Sequence, residues 1–403
     1  MRSQQVRERG WPTVLKAGWL YDGTSSALTA DARVVIDGET ILAAGSGLEA
    51  PEGAVVVDLG GATLLPGLVD THVHLAFDAS ADPVGSLARR DDDEVVEAMT
   101  RAGRTALRAG VTTVRDLGDR GYLSLGLRGS PGLPTIVAAG PPITTPAGHC
   151  HYLGSRAEPT ATAIRAAVRE HAERGVDIIK IMASGGNLTP GTRQDLPQFP
   201  PDVLRAAVDE AHRLGLVVTA HAHAASAIAE AVAAGVDGLE HVTFWTLDGV
   251  DASQEVIDLI AARRTVVGLT VGLVPVPGVE PPAAVVSRMP GIMANCRRLY
   301  EAGSVMAAGT DAGIALVKPH DVLPTVPAML RGLGFGPAEA LATITSAAAR
   351  VCGLGDRKGR IAPGYDADIL AVDGDPIADP QALQRVRAVY ARGTAVRGSQ
   401  RSC

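Results

Sequence analysis

LVVTAHAHAASAIAEAVAAGVDGLEHV, Leu216–Val242, contains a strand, a helix and a second strand in one short run. LVVTAHAH is apolar and β-branched until its histidines begin. ASAIAEAVAAG has the spacing of an amphipathic helix and ends in glycine, and GLEHV opens another strand. Two strands joined by a helical crossover of about ten residues lie parallel, and the crossover is right-handed. The unit recurs between about Leu64 and Gly355. GLVDTHVHL, VTTVRDLG, TIVAAG, DIIKIMASGG, LVVTAHAH, GLEHV, TVVGLTVG and VMAAGTDAG read as strands. Between them lie helical patterns such as DEVVEAMTRAGRTALRAG and DVLRAAVDEAHRLG, the latter opening at Asp202, a residue suited to capping. Eight such units predict an α/β fold, a closed (β/α)8 TIM barrel.

The two ends of the chain read differently. Thr13–Leu65 and Ile361–Arg397 show short strands and turn signals, including the Asp37-Gly38 hairpin turn. Neither piece can bury a core alone. They are predicted to pair as one composite domain, residues 1–63 with 357–403, a small β-sandwich beside a barrel over 64–356. The 403 residues suit a barrel plus a small module, and 46% hydrophobic with 20% charged residues suits a globular protein. A net charge of −7 without a basic stripe argues against nucleic acid as a partner. The opening MRSQQVRERG reads as a loose tail, and no apolar run of signal or membrane length is seen. The expectation is a cytoplasmic protein with no membrane partner, and a homo-oligomer is compatible with it. Cys150, Cys296, Cys352 and Cys403 show no C-x-x-C spacing and read as scattered thiols.

In a barrel of this kind, chemistry gathers at the C-terminal ends of the strands. Strand 1 brings His72 and His74, two apart and so on one side of an extended chain. Strand 5 brings His221 and His223 in the same way, strand 6 brings Glu240 and His241, and strand 8 brings Asp311. Strand 4 carries Lys180 in the apolar run VDIIKIMASGG, where an ammonium is costly unless paired or chemically altered. Lysine is scarce here: Lys16, Lys180, Lys318 and Lys358 are the only ones. Imidazoles and a carboxylate converging on one rim suit zinc or another divalent metal.

GLVDTHVHL, DIIKIMASGG, VTAHAHA, GLEHV, GTDAG and GRIAPGYDADILAVDGDP resemble the amidohydrolase superfamily. The nearest branch is the imidazolonepropionase-like one, which includes Xaa-Pro dipeptidases, carboxypeptidases and ochratoxin-hydrolysing enzymes. The resemblance runs from about Leu15 to Arg397. It implies that His72, His74 and Asp311 hold one metal, and that His221 and His241 hold a second. Lys180 would be carboxylated to N6-carboxylysine and bridge the two, which are expected to be Zn2+, other divalent ions being compatible. The presence of Lys180 in an apolar strand is then explained, because a desolvated neutral amine can attack CO2. His223 is expected to support a ligand or touch substrate, as a catalytic residue outside the ligand set.

The implied reaction is hydrolysis of an amide or peptide C–N bond of a small peptide or N-acyl amino acid. A metal-activated hydroxide would attack, with Asp311 as general base and then acid. His149, in PPITTPAGHCHYLG, is a candidate for stabilising the oxyanion. His151, Tyr152, Arg115 and His320 are candidates for substrate contact, Arg115 being expected chiefly to pair with Asp116. His171 and His212 are expected on solvent faces of helices. Val274–Glu280, proline-stiffened and apolar, is expected to form a lid. Alternatives are hydrolysis of a cyclic amide, lactone or carbamate, trimming of a peptide natural product, and mononuclear deamination.

Overall fold

The computed structural model describes residues 11–397. The opening MRSQQVRERG, expected as a loose tail, and Cys403 lie outside them. Strand β1 (Thr13–Leu20) pairs antiparallel with β2 (Thr29–Asp37), which turns into β3 (Thr40–Ser46). The turn forms where Asp37-Gly38 predicts it, and Gly38 takes a φ of 58°, a left-handed conformation open to glycine. The other edge of β1 is shared by β4 (Val55–Asp58) and β5 (Thr63–Pro66), both parallel to it.

Eight parallel strands follow: β6 (Leu68–Val73), β7 (Val111–Asp116), β8 (Thr135–Ala138), β9 (Ile179–Met182), β10 (Val218–Ala224), β11 (Gly238–Trp245), β12 (Val266–Thr270) and β13 (Met306–Gly309). Each coincides with one of the eight stretches read from the sequence. Strands β6 to β8 form a three-stranded sheet and β9 to β13 a five-stranded one, each in chain order. The sheets meet at two seams. Ile143, beyond β8, bridges in parallel to Ile181 of β9, and Val73 of β6 bridges to Ala312 beyond β13. At the second seam the Asp311 N–H donates to the His72 carbonyl at 2.7 Å. Both faces of most of these strands are buried, so their sequences lack the strict apolar–polar alternation of a half-exposed strand.

Helices fill the crossovers. Asp92–Arg108 begins with a capping box, Asp91 and Glu94 bonding each other's backbone. Ala161–Arg174 and Ala225–Ala234 end on left-handed Gly175 and Gly235. The cap expected at Asp202 is displaced. Pro201 occupies the first helical position, so the N-cap moves to Pro200 and Asp202 falls within the first turn.

The chain ends with β14 (Ile369–Val372), β15 (Val386–Ala391) and β16 (Thr394–Arg397). Strand β14 pairs antiparallel with both β5 and β15, so the two ends of the chain do meet. The predicted sandwich is not what they build: all eight terminal strands belong to one continuous sheet. That sheet curls. The Ile41 N–H donates to Tyr365 O at 2.9 Å and Ala367 N–H to Glu39 O at 2.7 Å, bringing β3 against the segment before β14. The curl encloses a separate apolar core including Leu15, Val34, Ile36, Leu64 and Ile369. A curled sheet buries the same alternating residues as two facing ones without breaking its ladder.

Candidate metal centre

The C-terminal ends of the parallel strands converge on one cavity of about 300 Å³. Its wall includes His72, His74, Lys180, His221, His223, His241 and Asp311, together with His149 and Cys150 from the loop after β8. The backbone is unusual where these groups enter. His241 has a φ of 72° and Asp311 a φ of 59°, left-handed values that non-glycine residues seldom adopt. The register between β10 and β11 also shifts at Ala222/Ala224, beside His223. Strain of this kind costs about 1–3 kcal/mol per residue and gathers where side chains must be aimed for function.

Two ligand-capable groups result: His72, His74 and Asp311, and His221, His223 and His241, with the donor atoms of each group within 4.8 Å of one another. His72 Nε2 and His74 Nε2 are 3.3 Å apart and lie 3.4 and 3.2 Å from Asp311 Oδ1. The remaining ring nitrogens are occupied elsewhere. His72 Nδ1 is 2.9 Å from Glu240 Oε2, and His74 Nδ1 is 3.0 Å from Gly118 O. His241 Nδ1 is 2.8 Å from Thr270 Oγ1, and His223 Nδ1 is 2.8 Å from Thr243 Oγ1. Glu240 and the Gly118 carbonyl accept only, so they hold His72 and His74 with Nδ1 protonated and leave the facing Nε2 its lone pair, while the threonine hydroxyls orient the His241 and His223 rings. Burial and the neighbouring Lys180 lower His72 to about 4, burial and neighbouring charge lower His149 to about 4, and burial and His149 lower His223 to about 3. Burial and His223 hold His221 and His241 well below the ordinary range. All five are neutral imidazoles at pH 7, the form that binds metals. Burial opposes protonation of His74, but Asp311 outweighs it and raises that ring.

Lys180 is 1% exposed, and its Nζ has no hydrogen-bond partner. Burial lowers its pKa to about 8 despite the pull of Glu240 and Asp311. It is a buried amine among ligands of both groups without a mate of its own.

Beneath the centre lies a network spread across distant strands. Arg115 Nη2 donates to Glu240 Oε1 at 2.9 Å and Arg115 Nε donates to Thr71 O at 2.6 Å, while Thr219 Oγ1 donates to Glu240 Oε1 at 2.7 Å. Burial opposes ionisation of Glu240, but Arg115 and the His72 hydrogen bond outweigh it and hold its carboxyl far below the usual range. Asp70 accepts from Thr310 N and Thr310 Oγ1 at 3.0 and 2.6 Å and from His72 N, fastening β6 to the end of β13. Arg115→Met is expected to destabilise the fold by roughly 3–5 kcal/mol, because it strands a buried carboxylate. The urea midpoint measures this, and a shift worth under about 1 kcal/mol would contradict it.

Several expectations need correction. Arg115 does not pair with Asp116 and does not line the cavity; its partner is Glu240. Asp116 instead accepts from Gly118 N at 3.1 Å. His320 is buried with Nε2 on Phe77 O at 3.0 Å, away from the cavity wall. His151 is tied by Nδ1 to Gly148 O at 2.9 Å, and the Tyr152 hydroxyl turns to Cys150 Sγ at 3.7 Å; neither lines the cavity. His171 is fully buried, bonded to Pro141 O and Ala167 O at 2.8 Å each, because the loop after β8 covers its helix face. His212 does face solvent, paired with Asp237 at 2.8 Å. No residue of Val274–Glu280 lines the cavity, and Val274 is held by Val317 O at 2.9 Å; Phe77, Leu188 and Ile314 supply the apolar wall.

His149 does reach the site, buried, with Nδ1 3.1 Å from Thr189 Oγ1. Its ring lies against Gly186, where an added Cβ would meet Nε2 at 2.4 Å. The second glycine of SGG is thus required by close approach. Sequence reasoning missed Lys318, Asn187 and Gln194 on the cavity wall, and gave Glu240 no role.

The amidohydrolase family profile matches residues 63–396. Ochratoxinase of Aspergillus niger is 28% identical, the match covering 94% of this chain and 84% of that protein. Imidazolonepropionase of Deinococcus deserti is 26% identical over 91% of this chain and 92% of its own. A crystal structure of a Xaa-Pro dipeptidase with methionine bound in its active site superposes with a TM-score of 0.82 at 29% identity, covering 95% of this chain and 99% of that one.

Proposed function

Because the chain belongs to the amidohydrolase family, hydrolytic enzymes acting on C–N bonds, we propose that it cleaves an amide or peptide bond at a two-metal centre. The substrate would be a small peptide or N-acyl amino acid. The seams between the sheets support reading residues 64–356 as a closed (β/α)8 barrel, with 1–63 and 357–403 as its companion domain. No helix among the described residues is long and apolar enough to cross a membrane.

The observation that carries this reading is the buried, unpartnered amine of Lys180 amid two groups of ligand-capable side chains, one of three imidazoles and one of two imidazoles and a carboxylate. A lone ammonium there is costly, whereas a carbamate between two cations is not. With a pKa of about 8, a fraction of order 10% of the amine is neutral at pH 7 and able to take up CO2. His72, His74 and Asp311 would hold one ion, His221 and His241 the other, and carboxylated Lys180 would join them. His223 stacks on His241 at 4.4 Å between ring centroids and would orient that ligand or act as a further one. Bound there, a divalent pair, which we take to be zinc, supplies Lewis acidity and an acidified water.

Asp311 does the proton work. Burial opposes its ionisation, but the neighbouring His72 and His74 outweigh burial and keep it a carboxylate. It accepts a proton from the attacking water and returns it to the departing nitrogen. His149, braced by Thr189, would steady the oxyanion. Arg115 and Glu240 fix the His72 ring, and the apolar wall excludes bulk water. The known relatives named for ochratoxin and Xaa-Pro hydrolysis support an acyl C–N bond as the target.

A panel on metal-loaded protein tests this: Xaa-Pro and Xaa-Arg dipeptides, N-acyl aromatic amino acids, lactones, carbamates and aminopurines. Release of free amine from an amide is the expected result. Ammonia from an aminopurine with every amide intact would contradict it.

A further inference from the structure

Lys318, on the loop after β13, lines the cavity beside Asp311, Thr270, Ile314 and Ala315. Its ammonium donates to Thr310 O at 2.6 Å, with Thr270 O and Gly272 O more distant at 3.4 and 3.5 Å. These carbonyls at the ends of β12 and β13 direct the ammonium, and the Asp311 and Asp70 carboxylates attract it from outside ion-pairing distance. Among the described residues no carboxylate forms an ion pair with it. The contrast with Lys16, paired with Asp58, and Lys358, paired with Asp366 and Asp368, is plain. Arg115, a lesser candidate for substrate contact in the sequence, is committed to Glu240 below the cavity. A half-buried cation on a cavity wall, hydrogen-bonded to carbonyls and near Asp311 and Asp70 without an ion pair to either, can still take an anionic group of the substrate.

Position identifies that anion. In an N-acyl amino acid the carboxylate carbon is three bonds from the scissile carbon, so its anchor must sit within a few ångströms of the reacting atoms. Lys318 is hydrogen-bonded to the residue immediately before Asp311, on the same cavity wall. Resting on the reading of the site as an amide hydrolase, we infer that Lys318 receives the free carboxylate of the substrate's leaving amino acid. The enzyme then takes short peptides with an open C-terminus and N-acyl amino acids in preference to their C-terminal amides. Gln194 lines the same cavity with a buried Oε1 that has no partner, leaving an acceptor for a substrate N–H.

The test uses the metal-loaded full chain, the fastest amide substrate of the panel and its primary carboxamide. Wild type is expected to favour the acid by roughly 100-fold in kcat/KM, the scale of a hydrogen bond to a charged group. Lys318→Met should bring that ratio near one, chiefly through KM, and Lys318→Arg should restore most of it. A wild-type ratio near one, or parallel losses on acid and amide in Lys318→Met, overturns the inference, since a merely structural lysine would affect both alike. If no amide is cleaved at all, the hydrolase reading fails instead. Calorimetric titration with N-acetyl-L-proline, N-acetyl-L-methionine and their amides then decides for Lys318. Acids binding wild type at least tenfold tighter than Lys318→Met support it, and equal binding or none overturns it.

Discussion

Lys180→Met is expected to lower kcat by about three orders of magnitude or more while stabilising the metal-free protein. The two effects share one cause. A buried amine with no partner serves only the chemistry, since methionine fills a similar volume without a charge to desolvate. The sign follows from linkage. Without metal the folded pKa of Lys180 is about 8, below the unfolded value of about 10.4, so protons favour the unfolded chain. The penalty is complete below pH 8 and fades as the pH approaches 10.4. The gap corresponds to about 3 kcal/mol at pH 7. Urea unfolding of chelator-treated protein at pH 7 and pH 10 measures it. The variant should be the more stable at pH 7 and lose most of that advantage at pH 10. A less stable variant at pH 7, or undiminished turnover, would remove Lys180 from the centre of the account.

Asp311→Asn is expected to reduce kcat by roughly 10³–10⁴-fold with the fold intact. General acid–base transfer alone contributes about 10²–10⁴, and the substitution also removes a charged ligand. Asparagine is the right replacement because it tolerates the φ of 59° at this position better than most residues and keeps the hydrogen-bonding shape. Steady-state kinetics on the best substrate, with the thermal midpoint as a control, separate the effects. A loss under tenfold at full metal content would assign the proton transfer to another group.

The chemistry-bearing strand ends were legible because β structure has a period of two and barrel sites gather at one rim. His72 and His74, or His221 and His223, advertise a shared direction within three residues. Arg115 misled because its partner, Glu240, lies 125 residues away, and nothing local distinguishes that pairing from one with adjacent Asp116. His171 failed for a related reason: helical periodicity marks one buried face, but the loop that leads into the helix folds back at Pro141 and covers a second. Lys318 reads as an ordinary loop lysine until the fold turns it into the cavity. In the terminal segments the hairpin at Gly38 was readable, yet alternation is identical for a curled sheet and for two facing sheets. The β5–β14 pairing and the bonds joining Glu39 and Ile41 to Ala367 and Tyr365 distinguish them.

Metal content per chain, measured by elemental analysis on wild type and Lys180→Met produced with ample zinc and bicarbonate, is the most direct trial of the two-ion centre. Two ions in wild type and at most one in the variant are expected. One ion in wild type, or two in both proteins, would contradict a carbamate-joined pair.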